Sequence, residues 1–225
     1  MAVTRSQKKR PLPRGPHDLT REEVERSQRG RLLQAMVEVV AEKGYANTAV
    51  ADVLEQAGVS RATFYALFKD KDDCFRAAFE TAAAQVAQFM AAGMKHAAAA
   101  AQGSPKDRHP LVLLEKLLTV YLETLASQPA LARTFLVEVF AAGPKAIEQR
   151  RKSMETFVTL MAETHRGQPG PFGTNPEQRF AVWTIANGVS SMVTSMVGVG
   201  EARRLPELKE PLMKLAEELT GRKRP

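Results

Sequence analysis

The chain has 225 residues, 44% hydrophobic and 25% charged, a globular balance that excludes global disorder. Its formal net charge of +7 favours anionic partners such as nucleic acid or anionic lipid, and its one cysteine, Cys74, excludes an internal disulfide and fits a reducing compartment. No stretch approaches the roughly 20 apolar residues that span a bilayer, and the opening MAVTRSQKKRPLPRG lacks the apolar run of a secretory signal, so a cytoplasmic protein without a membrane partner is expected.

Residues 1–19 carry Arg5, Lys8, Lys9, Arg10 and Arg14 among Pro11, Pro13 and Pro16, with no acidic residue before Asp18. Such a segment cannot bury a core. It is expected as a flexible basic arm, either merely solvated or adding phosphate or minor-groove contacts. Order should begin at Thr20, where Thr-Arg-Glu-Glu has the capping-box pattern. Leu33, Met36, Val37 and Val40 then make one apolar stripe that stops at Gly44, and Gly30 is a point at which this helix can break or bend. A second helix is expected from Thr48, its cap, with Val50, Val53, Leu54 and Ala57 on one face before Gly58. The third starts at Ser60 and turns Phe64, Leu67 and Phe68 inward.

A long fourth helix follows Asp70, with Phe75, Phe79, Ala82, Val86, Phe89 and Met90 on one side; Cys74 begins that pattern and reads as a small core residue rather than a redox sensor. An alanine run near residue 97 leads into QGSPKDRHP, a linker or loop. Helical segments Leu111–Ser127, Ala130–Ala142 and Lys145 to about Arg166 follow, parted by Pro129 and by Gly143-Pro144. GQPGPFGTNP, 167–176, is a surface loop, and Glu177–Val199 and Glu207–Thr220 are the terminal helices. The expected fold is all-α with about nine helices: an N-terminal three-helix bundle with a helix-turn-helix, and a larger C-terminal helical domain.

Gly-Val-Ser between two short amphipathic helices is the layout that presents a second helix to a DNA major groove; the alternative is a structural pair with a wettable outer side. With Phe64 inward, Ala62 and Ala66 point away, flanked by Thr63 on one side and by Tyr65 and Lys69 on the other. Alanine methyls suit a thymine methyl, Thr63 suits a base edge or phosphate, and Arg61 reaches guanine or phosphate. Tyr65, Lys69 and Lys71 are placed to bond the DNA backbone.

From about Arg26 to Phe75, with GYANTAVADVLEQAGVSRATFYALFKDKDDCF as its densest stretch, the chain resembles the DNA-binding domain of the TetR family of transcriptional regulators. The resemblance implies that Thr48 sits at the start of the second helix, that Ser60 to Leu67 is the recognition helix, and that Tyr65 and Lys71 hold phosphate. Ala49, Ala62 and Leu67 depart from the family's common hydroxyl residue, glycine and histidine, which bears on one phosphate contact and on operator preference. The expected organisation is a basic arm at 1–19, a DNA-binding domain at 20–70, an effector-binding and dimerisation domain at 71–221, and a basic tail at 222–225.

The resemblance further implies a homodimer on a pseudo-palindromic operator in double-stranded DNA, acting as a repressor that a small effector releases, and the candidate contacts named below suggest a largely apolar one. Phe180, Trp183 and Asn187 share one helical side, and Gly188, Ser190, Ser191 and Ser195 permit close helix approach. With Leu205, Leu208, Leu212, Leu215 and Leu219 they either pair with a second copy or complete the monomer core. Candidate effector contacts are Phe89, Met90, Tyr121, Phe135, Phe157, Met161 and Trp183, with polar specificity from Tyr121, Glu138 or Asn187; each also serves as plain packing. His17, His96, His109 and His165 lack metal-ligand spacing and no nucleophile elbow or phosphate-cradling loop occurs, so no catalytic residue, metal or cofactor is expected. The alternative function is a nucleoid-type protein that binds DNA without sequence choice, favoured by the basic ends.

Overall fold

The computed structural model describes residues 20–100, 109–164, 176–220 and 223–224. Among the described residues there are nine α-helices and no strand: α1 Arg21–Lys43, α2 Val50–Ala57, α3 Arg61–Leu67, α4 Lys71–Ala100, α5 Pro110–Ser127, α6 Pro129–Leu136, α7 Pro144–Thr164, α8 Pro176–Gly198 and α9 Lys209–Thr220. Short 3-10 segments occupy Glu138–Phe140 and Ala202–Leu208. None of the described helices is long and apolar enough to cross a membrane. The chain divides into two compact units, Met1–Ala78 and Phe79–Pro225. Helix α4 starts in the first and continues into the second.

In the first unit the Thr20 capping box forms: Glu23 N donates to Thr20 Oγ1 at 3.2 Å and Thr20 N donates to the Glu23 carboxylate at 2.7 Å. That bonding holds the Glu23 pKa below its ordinary value. Gly30 neither breaks nor ends α1, which runs on to Gly44. The buried stripe is Leu32, Ala35, Met36, Val39 and Val40, about one residue off the expected register, and Leu33 and Val37 are only half-buried. Both sets repeat at helical spacing, so periodicity alone does not choose between them. Helix α2 begins at Val50, with Ala49 rather than Thr48 in the capping position. Alanine has no acceptor, so Asp52 caps from inside the helix by accepting the Ala49 amide at 2.8 Å.

In the second unit proline stands first in α5, α6, α7 and α8, where a missing amide hydrogen costs nothing. The segment expected as one helix over Ala130–Ala142 ends at Leu136 and continues as a 3-10 turn. One apolar cluster packs Leu111, Leu114, Leu117 and Leu118 of α5 against Val158, Ala186 and α9's Leu212, Met213 and Ala216. A second joins Leu122, Leu125 and Ala132 to Val193, Val197, Ala202 and Leu205. The basic tail is not wholly free: the Arg224 guanidinium reaches Glu217 at 2.8 Å, Glu210 at 3.1 Å and Glu115 at 3.2 Å.

Cys74 is fully buried, and burial pushes its thiol pKa from 9.0 up to about 12. Between those values the unfolded chain has released a proton that the folded chain keeps, so this group makes stability fall as pH rises through the window. Urea unfolding at about pH 8 and about pH 10 should show a larger alkaline loss in the natural chain than in Cys74→Ala, by about 1 kcal/mol. Equal losses would mean that Cys74 is not shielded.

Candidate nucleic-acid interface and effector cavity

Helix α2 stops at Gly58, whose left-handed backbone, φ 61°, favours glycine, and the Val59 amide closes back on the Leu54 carbonyl at 3.3 Å. Ser60 then caps α3, accepting the Thr63 amide at 3.1 Å, and the two hydroxyls share a bond of 2.9 Å. Phe64 and Phe68 are buried, with ring centroids 5.7 Å apart, and the Arg29 guanidinium lies 5.0 Å from the Phe68 ring centre. Inward anchoring of these rings leaves Arg61, Ala62, Tyr65, Ala66 and Lys69 exposed. Tyr65 keeps 51% of its surface and meets Phe64 edge-on.

Two nominated residues are turned inward. Thr48 is buried, and its hydroxyl donates to the Gly44 carbonyl at 2.8 Å, so its side chain fastens the α1–α2 turn instead of opening to solvent. Lys71 Nζ donates to the carbonyls of Tyr45 and Thr48, each at 3.0 Å, and sits 4.2 Å from the Tyr45 ring centre. Its ammonium satisfies turn carbonyls while lending the turn a positive charge. Tyr45, which the sequence did not single out, is the centre of this arrangement. Its hydroxyl donates to Asp72, its ring meets Phe75 edge-on at 4.8 Å, and burial, then the Asp72 bond, raises its pKa.

The second unit holds a cavity of about 460 Å³. Alanines, Phe79 and Val86 of α4, Tyr121 and Leu125 of α5, and Leu131 and Phe135 of α6 give it a largely apolar wall, closed by α7 and by Ala186, Val189 and Ser190 of α8. Phe79 and Phe135 meet edge-on at 5.1 Å. Helix α7 contributes polar groups: Gln149, Arg150, Lys152 and Ser153. Arg150 Nη2 donates to Ser190 Oγ at 2.9 Å, and burial lowers the arginine pKa. Burial likewise pushes the Tyr121 phenol up to about 12, so it is protonated at neutral pH.

Residues 32–78 match the sequence model described as bacterial regulatory proteins, tetR family. Residues 32–78 thus carry the sequence signature of the TetR family's N-terminal domain. A stretch of 70 residues is 36% identical to the fatty acid metabolism regulator protein of Bacillus subtilis (strain 168); it spans 31% of this chain and 36% of that protein, so only about a third of the relative's length is matched. Among solved structures, the fatty acid degradation regulator FadR of Bacillus halodurans superposes with a TM-score of 0.68 at 19% identity, over 84% of this chain and 93% of that one. FadR of B. subtilis, crystallised in complex with stearoyl-CoA, gives 0.66 at 19% identity, over 83% and 96%. At that identity the likeness is one of fold.

Within this TetR-type unit, Ser60, Arg61, Ala62, Thr63, Tyr65 and Lys69 cluster on and around α3, while Thr48 and Lys71 support the adjoining turn. In the second unit Tyr121 and Phe135 line the cavity and several nominated residues do not. Phe89 is 56% exposed and Trp183 47% exposed, because each sits on the outer side of its helix. Asn187 donates to the Trp183 carbonyl at 2.8 Å, and Glu138 pairs with Arg133 at 3.3 Å. The side chains of Met90, Phe157 and Met161 lie outside the described residues. Arg150 and Ser190 were missed, since a charge inside an otherwise surface-like helix, RRK, carries no sign that one of its members faces inward.

Lys71→Met keeps most of the stem and removes the two carbonyl contacts. It should lower unfolding stability by about 1–3 kcal/mol in urea titrations at constant pH. A change below about 0.5 kcal/mol would make the two bonds incidental.

Proposed function

We propose that the chain is a ligand-responsive transcriptional regulator in which the unit at 20–70 reads double-stranded DNA through α3 and residues 71–221 bind an effector and dimerise. The observation that carries the reading is the outer face of α3. Two buried rings hold the helix down, and what they leave outside is small at its centre, Ala62 and Ala66, with Arg61, Tyr65 and Lys69 around it. Small side chains permit close approach to base edges, and the cations and the phenol reach phosphate.

A second copy is needed if two such helices are to enter successive major grooves, about 34 Å apart, on a pseudo-palindromic operator. Support for a homodimer comes from α8 and α9. Phe180 and Val199 keep 69% and 73% of their surface, Met192, Leu215 and Leu219 are also exposed, and Gly188, Ser191 and Ser195 lie on the same outer side of α8. Leu205 and Leu212 belong to the monomer core instead, and Ser190 points into the cavity wall. The cavity suits a small, largely apolar effector, and the acyl chain of the stearoyl-CoA carried by the B. subtilis FadR structure is a group of that kind. Helix α4 starts directly after the unit at 20–70 and contributes a wall of the cavity, so it is the proposed link by which the effector acts on the reading head. Coupling of about 1–3 kcal/mol would release the operator by about 5- to 150-fold, the behaviour of a repressor working in the cytoplasm.

Selection of bound duplexes from a random pool tests this. The chosen duplex should bind about 10³-fold tighter than random duplex at fixed salt; a ratio near one would establish the nucleoid-type alternative. Tyr65→Phe and Lys69→Ala should weaken binding to all duplexes alike, whereas Ala62→Gly and Thr63→Val should change the preferred bases. Equal losses on every duplex from all four substitutions would contradict base reading by α3.

A further inference from the structure

Arg150 is out of keeping with the cavity it lines. Its guanidinium is half-buried beside a largely apolar wall; Nη2 has one partner, Ser190 Oγ at 2.9 Å, and Nε is buried with no hydrogen-bond acceptor. The Phe140 ring lies 5.2 Å from the guanidinium carbon, a contact that stabilises a cation without accepting its in-plane hydrogens. No carboxylate among the described residues forms an ion pair with it, and the acidic residue of the lining, Glu80, is exposed. Burying a guanidinium without a counter-charge is costly, and its planar set of five donors matches a two-oxygen anion better than any other group.

We propose that the effector is an amphipathic oxyanion whose charged head pairs with Arg150 beside Ser190 while its hydrocarbon tail lies against Phe79, Val86 and Phe135. The proposal rests on the effector reading above and narrows it. An all-apolar guest would leave the guanidinium unpaired on loading and strip its remaining water. A carboxylate or phosphate head supplies acceptors for the free edge of the guanidinium, and the tail replaces water against the alanine-lined face of α4. Carboxylate and phosphate share this chemistry, so the experiment includes both.

Equilibrium dialysis with the full chain, below the micellar threshold, compares hexadecanoate, hexadecyl phosphate and hexadecan-1-ol. At least one anion should bind about 10- to 100-fold tighter than the alcohol, as expected for a hydrogen bond to a charged group, and the tighter one names the head. Arg150→Met should remove that preference while changing affinity for the alcohol less than about threefold, and Arg150→Lys should keep part of it. Equal affinity of the natural chain for alcohol and anions, no binding of either anion, or an undiminished preference in Arg150→Met would each overturn the proposal. Should Arg150→Met fail to fold, the comparison on the natural chain decides. Binding of the selected duplex is measured in parallel without lipid: operator binding with no anion preference removes only this inference, and loss of duplex discrimination with an intact anion preference removes only the regulator reading.

Discussion

Burial of Phe64 and Phe68 is the constraint on which the interface depends. A helix of seven residues is far below the roughly 12–15 needed for marginal stability in water, so α3 has its shape and its rotation from packing. Ser60 supplies the cap and Gly58 the turn, but only the two rings decide which arc faces out. Once they are inside, helical geometry leaves no choice about Ala62, Tyr65 and Ala66. The same packing explains the cationic residues behind the face: Arg29 lies against Phe68, and Lys71 donates to two carbonyls of the α1–α2 turn, those of Tyr45 and Thr48. A cation of this unit can therefore serve the backbone of its own chain before it serves a phosphate.

The second unit shows the converse, a cation with too little inside to serve. Its apolar clusters are conventional, leucine and alanine between helices, and proline starts the helices where no hydrogen bond is lost. Against that background Arg150, bonded to Ser190 across α7 and α8, is the group whose electrostatics the surrounding residues leave incomplete. Stability alone does not account for such a residue, because a neutral side chain of similar volume fills the wall at lower desolvation cost.

Much of the fold was legible in the sequence. The capping box at Thr20, the stops at Gly44 and Gly58 and the Ser60 cap all depend on interactions within a few residues, which is the range at which a sequence is explicit. Register was less legible. In α1 two stripes one residue apart serve the pattern equally well, and only the partners α2 and α3 select Leu32 and Val39 over Leu33 and Val37. Thr48 was read as a cap because threonine before a helix usually is one; the turn at Gly44 offered its hydroxyl a carbonyl instead.

The candidate cavity was the least legible part, for the same reason on a larger scale. Aromatic and methionine residues at helical spacing mark a face, but which face lines a void depends on helices brought together from distant parts of the chain; thus Tyr121 and Phe135 line it while Phe89 and Trp183 do not. Ser190 read as a small residue for helix approach and is a buried acceptor for Arg150, forty residues away. The sequence by itself determined where most helices lie and the caps at Thr20 and Ser60, because those follow from neighbours along the chain, and helical spacing from Phe64 gave the outward arc of α3. Only the tertiary structure decided what each cation meets, turn carbonyls for Lys71 and Ser190 at the cavity wall for Arg150, because such pairing depends on distances that packing sets.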